Sequence, residues 1–265
     1  MIGGSPQSAP PRPDLGWLRH RSAPAAAPSA PSAPSAPFES PASPPVAAPP
    51  AARSSLDLDA SAPAAPGRPA ATPGRVPRRV RSGQQTILTH KEPAVRLNRL
   101  QSGVGTLTIE AICSPVVGDV RIGAAYQLAD GTSSIVQHAS GIAAGPPGSK
   151  HALLSVYRHE YDGLTVDLRQ SRALRRLVVY AFSESGRAIT WGGTLVTTTF
   201  GGARIEIPLE LGQHQGPAVL MSLYNVDGEY VLRAELELIA GEVREATRAF
   251  GYDRITWADS RTPVQ

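Results

Sequence analysis

The run Ala218-Val219-Leu220-Met221-Ser222-Leu223-Tyr224-Asn225-Val226-Asp227-Gly228-Glu229-Tyr230-Val231-Leu232-Arg233-Ala234-Glu235-Leu236-Glu237-Leu238 decides the fold. Ala218 to Leu223 is an apolar stretch of strand length, as a strand buried on both faces requires. Leu232, Ala234, Leu236 and Leu238 alternate with Arg233, Glu235 and Glu237, giving one dry and one wet face. Asp227-Gly228 between them is a two-residue hairpin signal, since both positions of the favoured turn need positive φ.

The same period of two extends outward toward the N-terminus. It recurs at Ile205, Ile207 and Leu209, at Leu164, Val166 and Leu168, at Val120 to Leu128 on even numbers, and at Leu107, Ile109 and Ala111. Leu177 to Phe182 is a second apolar run and reads as another central strand. Turn signals at Asp130-Gly131, Ser185-Gly186 and Gly201-Gly202 separate these strands. One segment changes period: Ile239, Val243, Ala246 and Phe250 follow helical spacing, with Gly251 placed to end the helix. The expectation is an all-β fold, a β-sandwich of two antiparallel sheets with one short C-terminal helix.

Ahead of the strands the composition is different. Of 26 prolines, 19 fall in residues 1–80, where Pro, Ala and Ser make up about three fifths of the chain. Such a stretch has too little apolar area to offset the entropy of ordering it. Residues 1–84 are therefore expected to be a disordered Pro/Ala/Ser-rich tail and residues 85–265 the sandwich domain. The near-repeat from Ala27 onward reads as an extended spacer. Two islands interrupt the tail, Asp14-Leu15-Gly16-Trp17-Leu18, a docking candidate, and Leu56-Asp57-Leu58-Asp59-Ala60-Ser61.

Charge follows the same division. Residues 1–80 hold eight of the 26 Lys and Arg and four of the 22 Asp and Glu, leaving 18 of each sign in residues 81–265. A balanced domain argues against nucleic acid as a partner, because neutralising phosphates needs a surplus of cations. Arg78, Arg79 and Arg81 form a short basic run, which reads first as a solubilising juncture between tail and domain and second as a weak contact for an acidic partner. Arg outnumbers Lys 24 to 2, which together with abundant Ala suggests a bacterial genome of high GC content. The start Met1-Ile2-Gly3-Gly4-Ser5-Pro6-Gln7 lacks the apolar core of a signal peptide, and no stretch suits a bilayer span. A cytoplasmic protein is expected. Cys113 is the only cysteine and reads as a small buried residue.

Catalytic signatures are sparse. There is no Gly-x-Ser-x-Gly, His-Glu-x-x-His, P-loop or zinc spacing, and Gly103-Val104-Gly105 leads into a strand, so it reads as a turn. His159-Glu160 beside Asp162 is the one place where an imidazole and carboxylates adjoin, and it reads as a polar loop. A hard cation such as calcium wants six to eight oxygens, and Asp119, Asp130, Asp162 and Asp167 are the loop or strand-end carboxylates that could supply some. Asp167 lies on a wet strand face and reads as solvated.

Several segments in order resemble the tellurium-resistance TerD-like family. They are Ile87-Leu88-Thr89-His90-Lys91, Tyr161-Asp162-Gly163-Leu164-Thr165-Val166-Asp167-Leu168, Leu177 to Phe182, Ala218 to Tyr224, the Asp227-Gly228 hairpin with Leu232-Arg233-Ala234, and Ala249-Phe250-Gly251. The resemblance implies a β-sandwich that binds Ca2+ through acidic loops, acts in chemical-stress responses, and works with other tellurium-resistance-type proteins near the inner membrane surface. It implies no enzyme activity. The family's ligand stretch, of the type Asp-x-Asp-Leu-Asp-Ala-Ser, corresponds here to Gly118-Asp119-Val120-Arg121-Ile122-Gly123. Arg121 and Gly123 stand where carboxylates are expected, which leaves Asp119 and Asp162 as metal candidates of a weakened Ca2+ site. Leu56 to Ser61 spells the missing pattern, but ahead of the first strand, where no opposing loop can preorganise coordination.

The expectation is a noncatalytic stress-response module. Two alternatives are a small-molecule hydrolase or transferase using His159 and Glu160, and a structural scaffold organised by the tail.

Overall fold

A computed structural model describes residues 76–264. The spacer, the Trp17 island and the Leu56 to Ser61 island lie outside the described residues.

In chain order the strands are β1 (Arg78–Arg79), β2 (Gln85–Ile87), β3 (Ala94–Arg96), β4 (Thr106–Ile112), β5 (Val120–Leu128), β6 (Ser133–Gln137), β7 (Ala144–Gly145) and β8 (Leu154–Arg158). They continue with β9 (Asp162–Asp167), β10 (Leu174–Ser183), β11 (Ile189–Trp191), β12 (Thr194–Thr198), β13 (Arg204–Pro208), β14 (Gly212–His214), β15 (Ala218–Val226) and β16 (Glu229–Leu238). The helix α1 (Val243–Ala249) follows. Sheet A has the order β1-β3-β16-β15-β10-β5-β6 and sheet B the order β2-β13-β12-β4-β9-β8-β7, while β11 and β14 pair separately. Each large sheet is antiparallel except at one outer strand, because β1 runs parallel to β3 and β2 parallel to β13.

The two apolar runs occupy the middle of sheet A, as their lack of alternation requires. Leu177, Val179 and Ala181 of β10 face sheet B, with Leu107, Ile109, Leu164, Val166 and Leu195 in the inter-sheet core. Val178, Tyr180 and Phe182 face the other way, onto Val243, Ala246 and Phe250 of α1 and its end. Sheet A is thus covered on both sides, which explains why Ala124 and Ala125 are both fully buried in β5.

The hairpin forms as expected, with φ 57° at Asp227 and 78° at Gly228. The alternation in β16 is broken further on. Val219 pairs with Glu237 but Met221 with Ala234, so two residues of β16 oppose Leu220. Leu236 takes φ 52° in this bulge and still packs against the inter-sheet core, the Glu235 side chain beside it is only 2% exposed, and beyond the bulge Leu238 is 36% exposed rather than on the dry face. The helix is shorter than its apolar spacing suggests, because Ile239 donates its N–H to Pro217 O and belongs to the preceding connection. Gly251, at φ 76°, ends it.

Residues ahead of 85 take part in the sandwich, since β1 pairs with β3. Val80 is buried, and its N–H donates to Arg96 O at 3.0 Å. Arg78 and Arg79 have no apolar alternation to mark them as a strand. Among the described residues no helix is long and apolar enough to cross a membrane.

The antiparallel registers define two ends of the sandwich. At one end lie the starts of β5, β9, β12 and β15 and the finish of β10 and β16. At the other lie the finish of β1, β3, β9 and β12 and the starts of β4 and β13.

Candidate functional site

Asp119 is set at the first of these ends by the turn that precedes β5. Ser114 caps a 3-10 turn over Pro115–Val117, and Gly118, at φ 119°, redirects the chain. Register does the rest: Val120 pairs with Ser183 at the finish of β10. The two oxygens of Asp119 then accept from Ser183 Oγ and from Ser185 N, each at 2.6 Å. Burial works to raise the Asp119 pKa, but the hydrogen bonds from Ser183 and Ser185 outweigh it and hold the carboxyl below its usual value.

Arg121 points out of the same strand. Its Nη2 lies 2.7 Å from Glu184 Oε2, and Nη1 donates to Val120 O at 2.8 Å. Gly123 has a different reason for its identity. It pairs with Tyr180, whose ring lies across it so closely that a Cβ on Gly123 would sit 2.7 Å from the ring. Tyr180 is fully buried and donates its hydroxyl to Gln137 Oε1 at 2.8 Å. The space that a side chain at position 123 would need is occupied by an aromatic ring.

Asp162 opens β9 in the other sheet. The pairing of β6 stops opposite Gly123, and Ile122 N donates to Asp162 Oδ2 at 3.4 Å. Arg158 Nε lies 3.6 Å from Asp162 Oδ1, and the Asp162 side chain is 10% exposed. Here burial wins: it raises the carboxyl above its usual value despite opposition from Arg121, the Ile122 N–H, Arg158 and His138.

Asp119 and Asp162 thus stand at the same end, on different sheets, each with its own donors. Among the described residues no group of three or more His, Cys, Asp or Glu is placed to hold a metal ion. Two carboxylates, each engaged by its own donors and with the Arg121 guanidinium acting on Asp162, supply few of the six to eight oxygens that a calcium ion takes. Asp130 accepts from Thr132 N in its own turn. Asp167 caps the 3-10 turn after β9, where the Arg169 side chain holds its carboxyl down to about 2.

His159 and Glu160 form the exposed tip between β8 and β9. The His159 ring lies 5.3 Å from that of Tyr157, and Glu160 bonds to Tyr161. Tyr157 in turn donates to Glu110 Oε1 at 2.9 Å and packs across Gly163. Each group of the pair has its own partner along the hairpin. Cys113 is half-buried, and burial pushes its thiol up, opposite to the direction that activates a nucleophile.

Sequence reading missed the other half of this end. An open cavity of about 250 Å³ lies between Phe182, Ser183, Gln215, Pro217, Glu242 and Arg261. Arg261 Nε donates to Glu242 Oε2 at 2.7 Å and Nη2 to Oε1 at 3.2 Å, while Nη1 reaches Glu184 O at 3.2 Å. This fork ties the C-terminal segment to the helix start and to the β10 turn. The one signal available was Glu242 three residues before Glu245, whose side chain accepts from Glu242 N at 3.0 Å. The result is a polar rim in which Glu242 and Arg261 line a small cavity, Glu184 joins Arg261 to Arg121 and Asp119 holds the cavity's Ser183, an arrangement able to exchange hydrogen bonds with a ligand or a partner's loop.

Compared with known proteins, the chain matches no family model and no curated sequence.

Proposed function

We propose that this chain is a noncatalytic stress-response protein of the TerD-like type, whose sandwich serves as a binding and interaction module with a weakened Ca2+ site at Asp119 and Asp162. The observation that supports this reading is the polar rim. Carboxylates and guanidiniums are fixed there on strand ends by hydrogen bonds, next to an open cavity. A preorganised polar surface of this kind suits recognition, because its side chains lose little freedom on binding. On this reading its partners are other tellurium-resistance-type proteins, and its place is the cytoplasm, close to the inner membrane surface.

The test has two parts, both with the full chain. After chelator treatment, calcium is titrated by calorimetry and thermal unfolding is followed with and without the ion. Saturable heat with a raised midpoint is the expected outcome, since a ligand of the folded state alone must stabilise it. Expression in a tellurite-sensitive bacterial host is the second part, with improved survival expected and loss of the gain in Asp119→Ala/Asp162→Ala. Absence of heat, midpoint shift and protection together overturns the reading.

A further inference from the structure

The far end of the sandwich has the opposite character. Phe200, in the turn between β12 and β13, is 73% exposed, Leu100 is 67% exposed and Val104 40%. They belong together. The Phe200 ring lies against Gly105, next to Val104, and Val104 N donates to Leu100 O at 3.1 Å. A cluster of three large apolar side chains facing water is what an unfilled contact surface looks like, whereas isolated ones are ordinary.

A basic groove adjoins it. β1 is the outermost strand of sheet A among the described residues. A concave space of about 640 Å³ runs past Arg78, Arg79 and Arg81. Gly83 N donates to Gly201 O at 3.1 Å, which joins the turn after Arg81 to the Phe200 turn. Arg79 is partly engaged by Glu229 at 3.0 Å. Arg78 and Arg81 are both exposed, and among the described residues neither has a carboxylate within ion-pair distance.

We propose that the β1 edge and the Phe200 cluster together bind an extended acidic segment of a partner protein that carries bulky apolar residues. The segment adds to the free edge of β1 through main-chain hydrogen bonds, its carboxylates meet Arg78 and Arg81, and an apolar side chain covers Phe200. The chemistry selects this occupant. A second copy would set one arginine edge against another, the charge pattern that keeps edge strands apart. Nucleic acid would find three arginines on a domain whose charges otherwise balance. The inference rests on the reading of the chain as an interaction module and names the chemistry of its partner.

The test is fluorescence anisotropy on the full chain with a labelled eight-residue peptide of alternating Asp and Leu. Saturable binding that weakens as salt rises is expected. Arg78→Glu/Arg81→Glu should weaken it about tenfold, and Phe200→Ala should weaken it as well. Lys150→Glu, a charge change elsewhere on the surface, should leave it unchanged, and unaltered melting midpoints establish that the variants fold. Equal binding by all variants overturns the inference, as does the absence of binding. Capture of the chain by phosphatidylserine vesicles, lost in the arginine variant while the peptide fails to compete, overturns it in favour of a membrane surface. Peptide binding by a chain without tellurite or calcium response would overturn the stress-response reading alone.

Discussion

The two ends of this sandwich are built from the same strands and treat charge in opposite ways. At the β5 start, Asp119, Arg121, Glu184, Glu242 and Arg261 all bond within the protein, and their positions are fixed by the fold. At the Phe200 end, Arg78 and Arg81 face water beside exposed apolar side chains. The difference teaches where substitution should cost stability and where it should cost only binding. A charge that completes the fold's own hydrogen bonds cannot be removed without leaving a partner unsatisfied, whereas a solvated charge can.

The largest effect should come from trying to make the first end more acidic. Gly123→Asp places a side chain into the Tyr180 ring and a carboxylate under the helix, at a cost of about 3 kcal/mol. The melting midpoint should drop by about 10 °C. A variant that melts normally and gains calcium affinity would break the comparison by showing that the rim can be rebuilt.

Asp119→Ala comes next. It leaves Ser183 Oγ and Ser185 N without their acceptor, and about 1 kcal/mol should be lost, near the low end of the usual range because solvent reaches the carboxylate. The sign of its pH dependence follows from its lowered pKa. Its contribution is present above the unfolded-state value and disappears as pH falls through the folded one, so wild type and variant should converge in thermal melts as pH falls below about 4.

Asp162 sharpens the contrast within one end, because its shift runs the other way. With the folded pKa raised, its contribution is greatest below the unfolded value and is lost as pH rises through the folded one. Asp162→Asn keeps an acceptor for Ile122 N and removes the buried charge. It should be as stable as the wild type or slightly more so at neutral pH, and a clear loss in the melt would mean that the Arg158 pair outweighs burial. The smallest effect on stability belongs to Arg78→Glu/Arg81→Glu, expected within about 0.5 kcal/mol of wild type by denaturant unfolding.

Much of the fold was legible because burial leaves a period in the sequence. β4, β9 and β13 alternate since each buries one face, and β10 and β15 do not since α1 and sheet B cover both faces. What could not be read depends on register between distant strands. Nothing local says that Tyr180 lies opposite Gly123, so the glycine reads as a lost ligand rather than as room for a ring. The bulge at Glu235 and Leu236 is fixed by pairing with β15, and the sequence continues its alternation straight through it. Of this end, Asp119 of the rim and Asp162 on the other sheet were visible as carboxylates near strand starts. Arg261 and Glu242 were not paired in advance, because the segment after Gly251 that brings Arg261 back to the helix start has no period to count.

The first two strands of the described chain pair with opposite sheets. β1 closes the edge of sheet A and β2 the edge of sheet B, where the Gln85 side chain bonds Glu206 across 121 residues of sequence. This makes the opening segment a clasp across the two layers, only five residues long in its strands. Closing so distant a contact carries a high entropic cost for few hydrogen bonds. Amides of the clasp, such as Val80 and Leu88, should therefore exchange with deuterium through local opening well before those of β10, with the rest of the sandwich still folded. The clasp thus gives the molecule a second, partly opened form at low energy, in which the edges of β3 and β13 lie bare.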